Sequence, residues 1–173
     1  MKNSIFCLII FCASCNIKEQ EKINVKTYFD LEEYFNGEIL RLSKANPTVN
    51  KSVIVNGQAE YKKIKIPNWK QELSSFMSSD INKASWRGSF KTTVSQNLKI
   101  YTTNNAKIPV KKLQIIYKKN KVFAIEIFVQ NVNNLYTSQD SLSYFPDSLY
   151  QIKKVQLIKL MDKKEYQVNG AFQ

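Results

Sequence analysis

Residues 110–130 read VKKLQIIYKKNKVFAIEIFVQ. Leu113, Ile115 and Tyr117 fall on one parity, and Phe123, Ile125, Ile127 and Val129 do the same after an interruption at Lys119-Asn120. An apolar period of two marks a strand with one face buried. Two such runs joined by a two-residue turn form an antiparallel hairpin. The pattern extends in both directions. Strands are expected at 86–94, 97–103, 110–118, 121–130, 135–144, 149–160 and 164–171, with further turns at Asn133-Asn134, Pro146-Asp147 and Asp162-Lys163. Strands joined by such short turns can only be antiparallel.

Upstream the period changes. Tyr28, Leu31, Phe35, Ile39 and Leu42 are spaced three or four apart, which predicts an amphipathic helix over 27–43. Thr27 and Asp30 are placed as a capping box, and Pro47 ends the helix. Asn56-Gly57 between two strand-like runs predicts a hairpin. Asn68 is a good N-cap for a second helix carrying Trp69, Leu73 and Phe76-Met77 on one face and ending near 78–80. The expected fold class is α+β: two helices packed on a curled antiparallel meander of about six to seven strands, plus an N-terminal hairpin. One domain is expected over 27–173.

The first fifteen residues, MKNSIFCLIIFCASC, place Lys2 before an apolar run from Ile5 to Phe11. The run is too short for a membrane-spanning helix, which needs about 20 apolar residues. A positive start, a short apolar run and small residues after it describe a secretory signal peptide. Ala13-Ser14-Cys15 resembles the lipobox of bacterial lipoproteins, with Cys12 where that family usually has Leu. The resemblance implies cleavage before Cys15 and a diacylglycerol joined to its thiol. It divides the chain into a signal peptide (1–14), a lipidated cysteine with a polar tether (15–26) and the folded domain. Two acyl chains hold a protein on a membrane where one does not. No Asp follows Cys15, so the best-known inner-membrane retention signal is missing and the outer membrane is favoured. Cys7, Cys12 and Cys15 are the only cysteines, which leaves the domain without a disulfide framework or a thiolate metal site.

The net charge is +12. Such a balance attracts anionic envelope components, and it also follows from a Lys-, Asn- and Ile-rich composition. Arg41 and Arg87 are the only arginines, which argues against nucleic acid, where Arg is favoured for bidentate base contacts. The 173 residues contain no His. That removes the commonest general base and metal ligand. No Ser-x-x-Lys pattern and no Gly-rich phosphate loop is present. No cofactor and no metal is expected beyond the diacylglycerol, and the chain reads as non-enzymatic.

Four residues are candidate ligand or partner contacts. Asp80, Trp86 and Arg87 fall in a junction that holds one of the two Trp and one of the two Arg. They either contact a ligand or hold the second helix to the sheet, for instance through an Arg87–Asp80 pair. Glu126 lies in an apolar strand on the parity of Val122, Ala124 and Phe128. If that face is covered, it is paired or perturbed by burial; otherwise it lies on an exposed edge or in a salt bridge with a lysine of a neighbouring strand. The reading is a membrane-anchored envelope lipoprotein that binds or assembles another envelope component. The alternative is a carrier of a lipid or other apolar ligand in a half-open sheet cavity.

Overall fold

The computed structural model describes residues 26–173. The signal segment, Cys15 and most of the tether lie outside the described residues. The order is α1 (Leu31–Ala45), β1 (Thr48–Val55), β2 (Gln58–Lys65), α2 (Trp69–Glu72), α3 (Ser74–Ser78), a 3-10 turn (Ala84–Trp86), β3 (Lys91–Ser95), β4 (Leu98–Thr102), β5 (Val110–Lys118), β6 (Lys121–Val132), β7 (Tyr136–Phe145), β8 (Leu149–Ile158) and β9 (Lys164–Phe172).

All nine strands form one antiparallel sheet, in the order β2-β1-β9-β8-β7-β6-β5-β4-β3. This overturns the expected meander of six to seven strands with a separate hairpin and two helices. β1 pairs with β9 from Val49↔Phe172 to Val55↔Tyr166. The last strand would otherwise present a row of unpaired amides, and the hairpin satisfies them. Turn chemistry explains the joins. Asn56 and Gly57 have φ of 48° and 86°, and Lys119 and Asn120 have 51° and 61°. Positive φ at both central residues matches the twist of flanking antiparallel strands.

Three further expectations shift for local reasons. α1 begins at Leu31, because Asp30 is its N-cap and accepts from the Glu33 amide at 3.0 Å. Tyr28 stays outside the helix, in a bend, its amide donating to Asn82 Oδ1 at 2.9 Å. The second helix breaks into α2 and α3 at Leu73, whose φ of −96° and ψ of 8° leave the helical region. β3 starts at Lys91 because the 3-10 turn and Gly88, at φ 76°, occupy the preceding residues.

The helices cover one face of the sheet. Between them and the sheet lie fully buried Tyr144, Tyr150, Phe35, Phe76, Leu73 and Ile125. Tyr144 is the hub: its ring centroid is 5.1 Å from Phe35, 5.9 Å from Phe76 and 6.5 Å from Phe172. Tyr144 and Tyr150 are direct cross-strand partners. Each hydroxyl donates upward to a helix carboxylate, Tyr144 to Glu38 of α1 and Tyr150 to Glu72 of α2 at 2.5 Å. Arg41 clasps Glu38 through Nε at 2.8 Å and Nη2 at 2.7 Å, and reaches Asp147 of the β7–β8 turn at 2.6 Å. Lys51 of β1 neutralises Glu72 at 2.7 Å. Buried polar groups are tolerable when paired in this way, and these pairs fix where the helices sit on the sheet.

Candidate functional site

The alternation that buries Leu142 and Tyr144 on β7 also turns Asp140 and Ser138 toward the helix side. Asp140 stands opposite Val129 on β6 and Lys154 on β8. α3 is too short to cover this part of the sheet, and the 3-10 turn closes its flank. The result is a pocket of about 320 Å³. Its walls are apolar, from Pro109, Val110, Val129, Leu142 and Ile152, with Trp86 at the flank. Its polar groups converge from four elements: Ser75, Ser78 and Ser79 of the α3 segment, Asn131 of β6, Asp140 of β7 and Lys154 of β8.

The geometry of those groups defines the available chemistry. Lys154 Nζ lies 3.3 Å from Asp140 Oδ2. Asp140 Oδ1 is buried and has no partner, and it is the only such side-chain atom among the described residues. The Ser78 and Ser79 hydroxyls both donate to the Ser75 carbonyl, at 3.0 and 2.8 Å, so they face the pocket as acceptors. Asn131 donates to Ser138 Oγ at 3.3 Å. A buried carboxylate oxygen without a donor costs about 1–3 kcal/mol. A ligand that brings an O–H or N–H to Asp140 Oδ1 recovers that cost. The volume sits at the lower end of ordinary ligand pockets, about 300–1,000 Å³, and suits a single small molecule or the end of a chain.

No family model, no curated protein and no solved structure matches this chain.

Of the candidates read from the sequence, the structure brings only Trp86 to this pocket. Lys83 lies over its ring, 4.2 Å from the centroid. Asp80 belongs to a neighbouring clasp. Its two oxygens accept from Asn82, at 3.1 and 3.2 Å, and Lys26 stands 3.9 Å away. Asn82 Nδ2 in turn donates to the Phe29 carbonyl at 3.0 Å. Asp80 thus pins the chain entering α1. Arg87 is exposed and makes no pair with Asp80. Glu126 lies on the opposite, helix-free face, where Gln114 donates to it at 3.2 Å. Its expected neighbour Val122 departs: a register shift between Ile116 and Tyr117 breaks the alternation, and Val122 packs on the core. Among the described residues no group of three acidic, His or Cys side chains could hold a metal ion.

Sequence reasoning passed over Asp140, Lys154 and the serines of α3. One signal was available. Ser138 and Asp140 share the parity of Leu142 and Tyr144, so an acid occupied a core-facing register. Replacing it tests the cost. Asp140→Val removes the orphan oxygen and suits a central strand, while the partly exposed Lys154 pair it breaks contributes only about 0.2–1 kcal/mol. The variant is expected to be more stable by about 1 kcal/mol, a rise in Tm of about 2–4 °C in a scanning calorimeter. A lower Tm would mean that Asp140 is structural.

Proposed function

We propose that this protein is a lipid-anchored, non-catalytic binding domain of the cell envelope, held through Cys15, with its recognition site in the pocket floored by Asp140. The observation that carries the binding reading is the unpartnered Asp140 Oδ1 among polar groups from four elements. A fold that leaves one buried acceptor open, while it pairs Glu38 and Glu72 fully, is poised for a donor from outside. The aromatic core favours this over the carrier reading. The space between helices and sheet, where an apolar ligand would lie, is filled by Phe35, Phe76, Tyr144 and Tyr150. The larger hollows, about 510 and 690 Å³, are open grooves over strands rather than enclosed cavities.

Thermal shift of the purified protein against small O–H and N–H donors, monosaccharides and free amino acids, tests the site. At least one is expected to raise Tm in the wild type and not in Asp140→Val. An equimolar lipid in an organic extract, with no shift from any of these compounds, would restore the carrier reading. The anchor is tested separately: Cys15→Ser should leave the membrane fraction, and its unaltered retention and processing would refute lipidation.

A further inference from the structure

Most of the strongly exposed large apolar side chains among the described residues gather at one end of the sheet. The β6–β7 and β8–β9 loops emerge there side by side, since Tyr136 pairs with Ile158 and the Lys159 amide donates to the Leu135 carbonyl at 2.9 Å. The sequence pattern placed a two-residue turn at Asp162-Lys163, with the preceding strand running to 160. Instead β8 ends at Ile158 and residues 159–163 form a loop. Leu160 stands at its tip, 100% exposed, with Met161 beside it at 57%. Val132 at the end of β6 and Leu135 on the adjoining loop are 70% and 72% exposed. Leu160 also has φ 64°, a left-handed conformation that a branched side chain rarely adopts. The loops are well tied down. Asn133 Oδ1 accepts from the Leu135 and Tyr136 amides, at 2.8 and 2.9 Å, and the Met161 amide donates to Ile158 at 3.1 Å. Apolar side chains are thus presented outward on ordered turns.

From this arrangement we infer that the paired loop tips insert into a lipid surface. Four observations select lipid as the occupant. Leu160 and Met161 project singly from their loop tip, and Leu135 lines only a shallow hollow of about 290 Å³, which suits the unstructured acyl boundary better than a shaped protein partner. Lys159, Lys163 and Lys164 flank them. Asp162 and Glu165 offset part of that charge, with Glu165 bound to Lys163 at 2.5 Å, so the tip keeps a net positive charge within a chain of +12. Tyr136 at the base of one loop is an amphipathic ring of the kind favoured at headgroup level. Finally, the tether from Cys15 to Lys26 spans at most about 36–40 Å when extended, which keeps the domain within reach of the bilayer. The choice of occupant rests on the lipid-anchor reading. The tips would then act as a second attachment that fixes the orientation of an already tethered domain.

The test uses the mature chain reconstituted in vesicles of phosphatidylethanolamine and phosphatidylglycerol. No cysteine follows Cys15, so Leu160→Cys introduces the single thiol of the domain. It is labelled with a polarity-sensitive fluorophore and compared with Val94→Cys, exposed on the far edge strand β3. The expected result is a blue-shifted, severalfold brighter emission at position 160 on vesicles and none at 94. Equal emission at the two positions would overturn the inference. So would a bright signal at 160 without vesicles together with a doubled molecular mass, which would assign the tips to a second copy. The mass of the peptide bearing Cys15 reports the anchor independently. Lipid there with a dark position 160 sinks the tip insertion alone. A free thiol with a bright position 160, measured after Cys15→Ser, sinks the anchor alone.

Discussion

Gly170→Ala should cost about 3–5 kcal/mol and lower Tm by about 10 °C or more. Gly170 on β9 is the direct partner of Tyr150 on β8, and the tyrosine ring lies across it. A Cβ there would approach ring atoms of Tyr150 to 2.2 Å. The ring has no room to retreat: Tyr150 is fully buried, with Trp69 at 6.4 Å and Phe172 at 6.0 Å between centroids. Moving it also breaks the hydrogen bond to Glu72, and bonds to charged groups contribute about 1.5–3 kcal/mol. Against a total stability of about 5–15 kcal/mol this is a large fraction. Gly37→Ala is the contrast. Nothing lies within 4 Å of its Cβ position in α1, so the substitution should stabilise by about 0.5–1 kcal/mol. Chemical denaturation of both variants, and of Gly170→Ala combined with Tyr150→Leu, forms the check. If the loss at Gly170 is unchanged with the ring removed, the clash is not its cause.

Alkali is expected to unfold the domain steeply above pH 10. Burial pushes the Tyr144 and Tyr150 hydroxyls far above their ordinary value, and their hydrogen bonds to Glu38 and Glu72 add to the shift. Tyr34 moves in the same direction, chiefly through burial and then through the charge of Glu38. The unfolded chain releases these protons near the ordinary tyrosine value of about 10, whereas the folded chain keeps them. The stabilisation is therefore complete below pH 10 and is lost as pH rises beyond it. Two fully buried tyrosines give a limiting slope of about 2.7 kcal/mol per pH unit. Urea melts at pH 8, 9.5, 10.5 and 11.5 measure it. The Tyr144→Phe/Tyr150→Phe double variant should be weaker at neutral pH, because Glu38 and Glu72 lose a donor, yet flatter above pH 10. A wild-type stability that stays level between pH 9 and 11 would show that these hydroxyls are not held neutral by the fold.

Local chemistry alone determined much of this protein. The period-two runs gave strands at 110–118 and from 121 onward because a half-buried strand must alternate. Asn56-Gly57 and Lys119-Asn120 gave hairpins because Asn and Gly tolerate positive φ, and in the second turn Lys119 takes it up beside Asn120. The lipobox resemblance at Cys15 is likewise a local pattern, and it lies outside the described residues. Tertiary structure decided the rest. Closure of β1 on β9 joins positions more than a hundred residues apart, and no local period encodes it. Trp86 and Asp140 meet at one pocket because a short helix leaves a gap over β5–β8, so their proximity depends on coverage rather than spacing. Arg41 reads in the sequence as a helix-end charge. In the fold it grips Glu38 and Asp147, because the β7–β8 turn comes to meet it. A sequence fixes which side chains face one way along an element. Which element faces which, and what is left unpaired between them, is set only when the whole sheet closes.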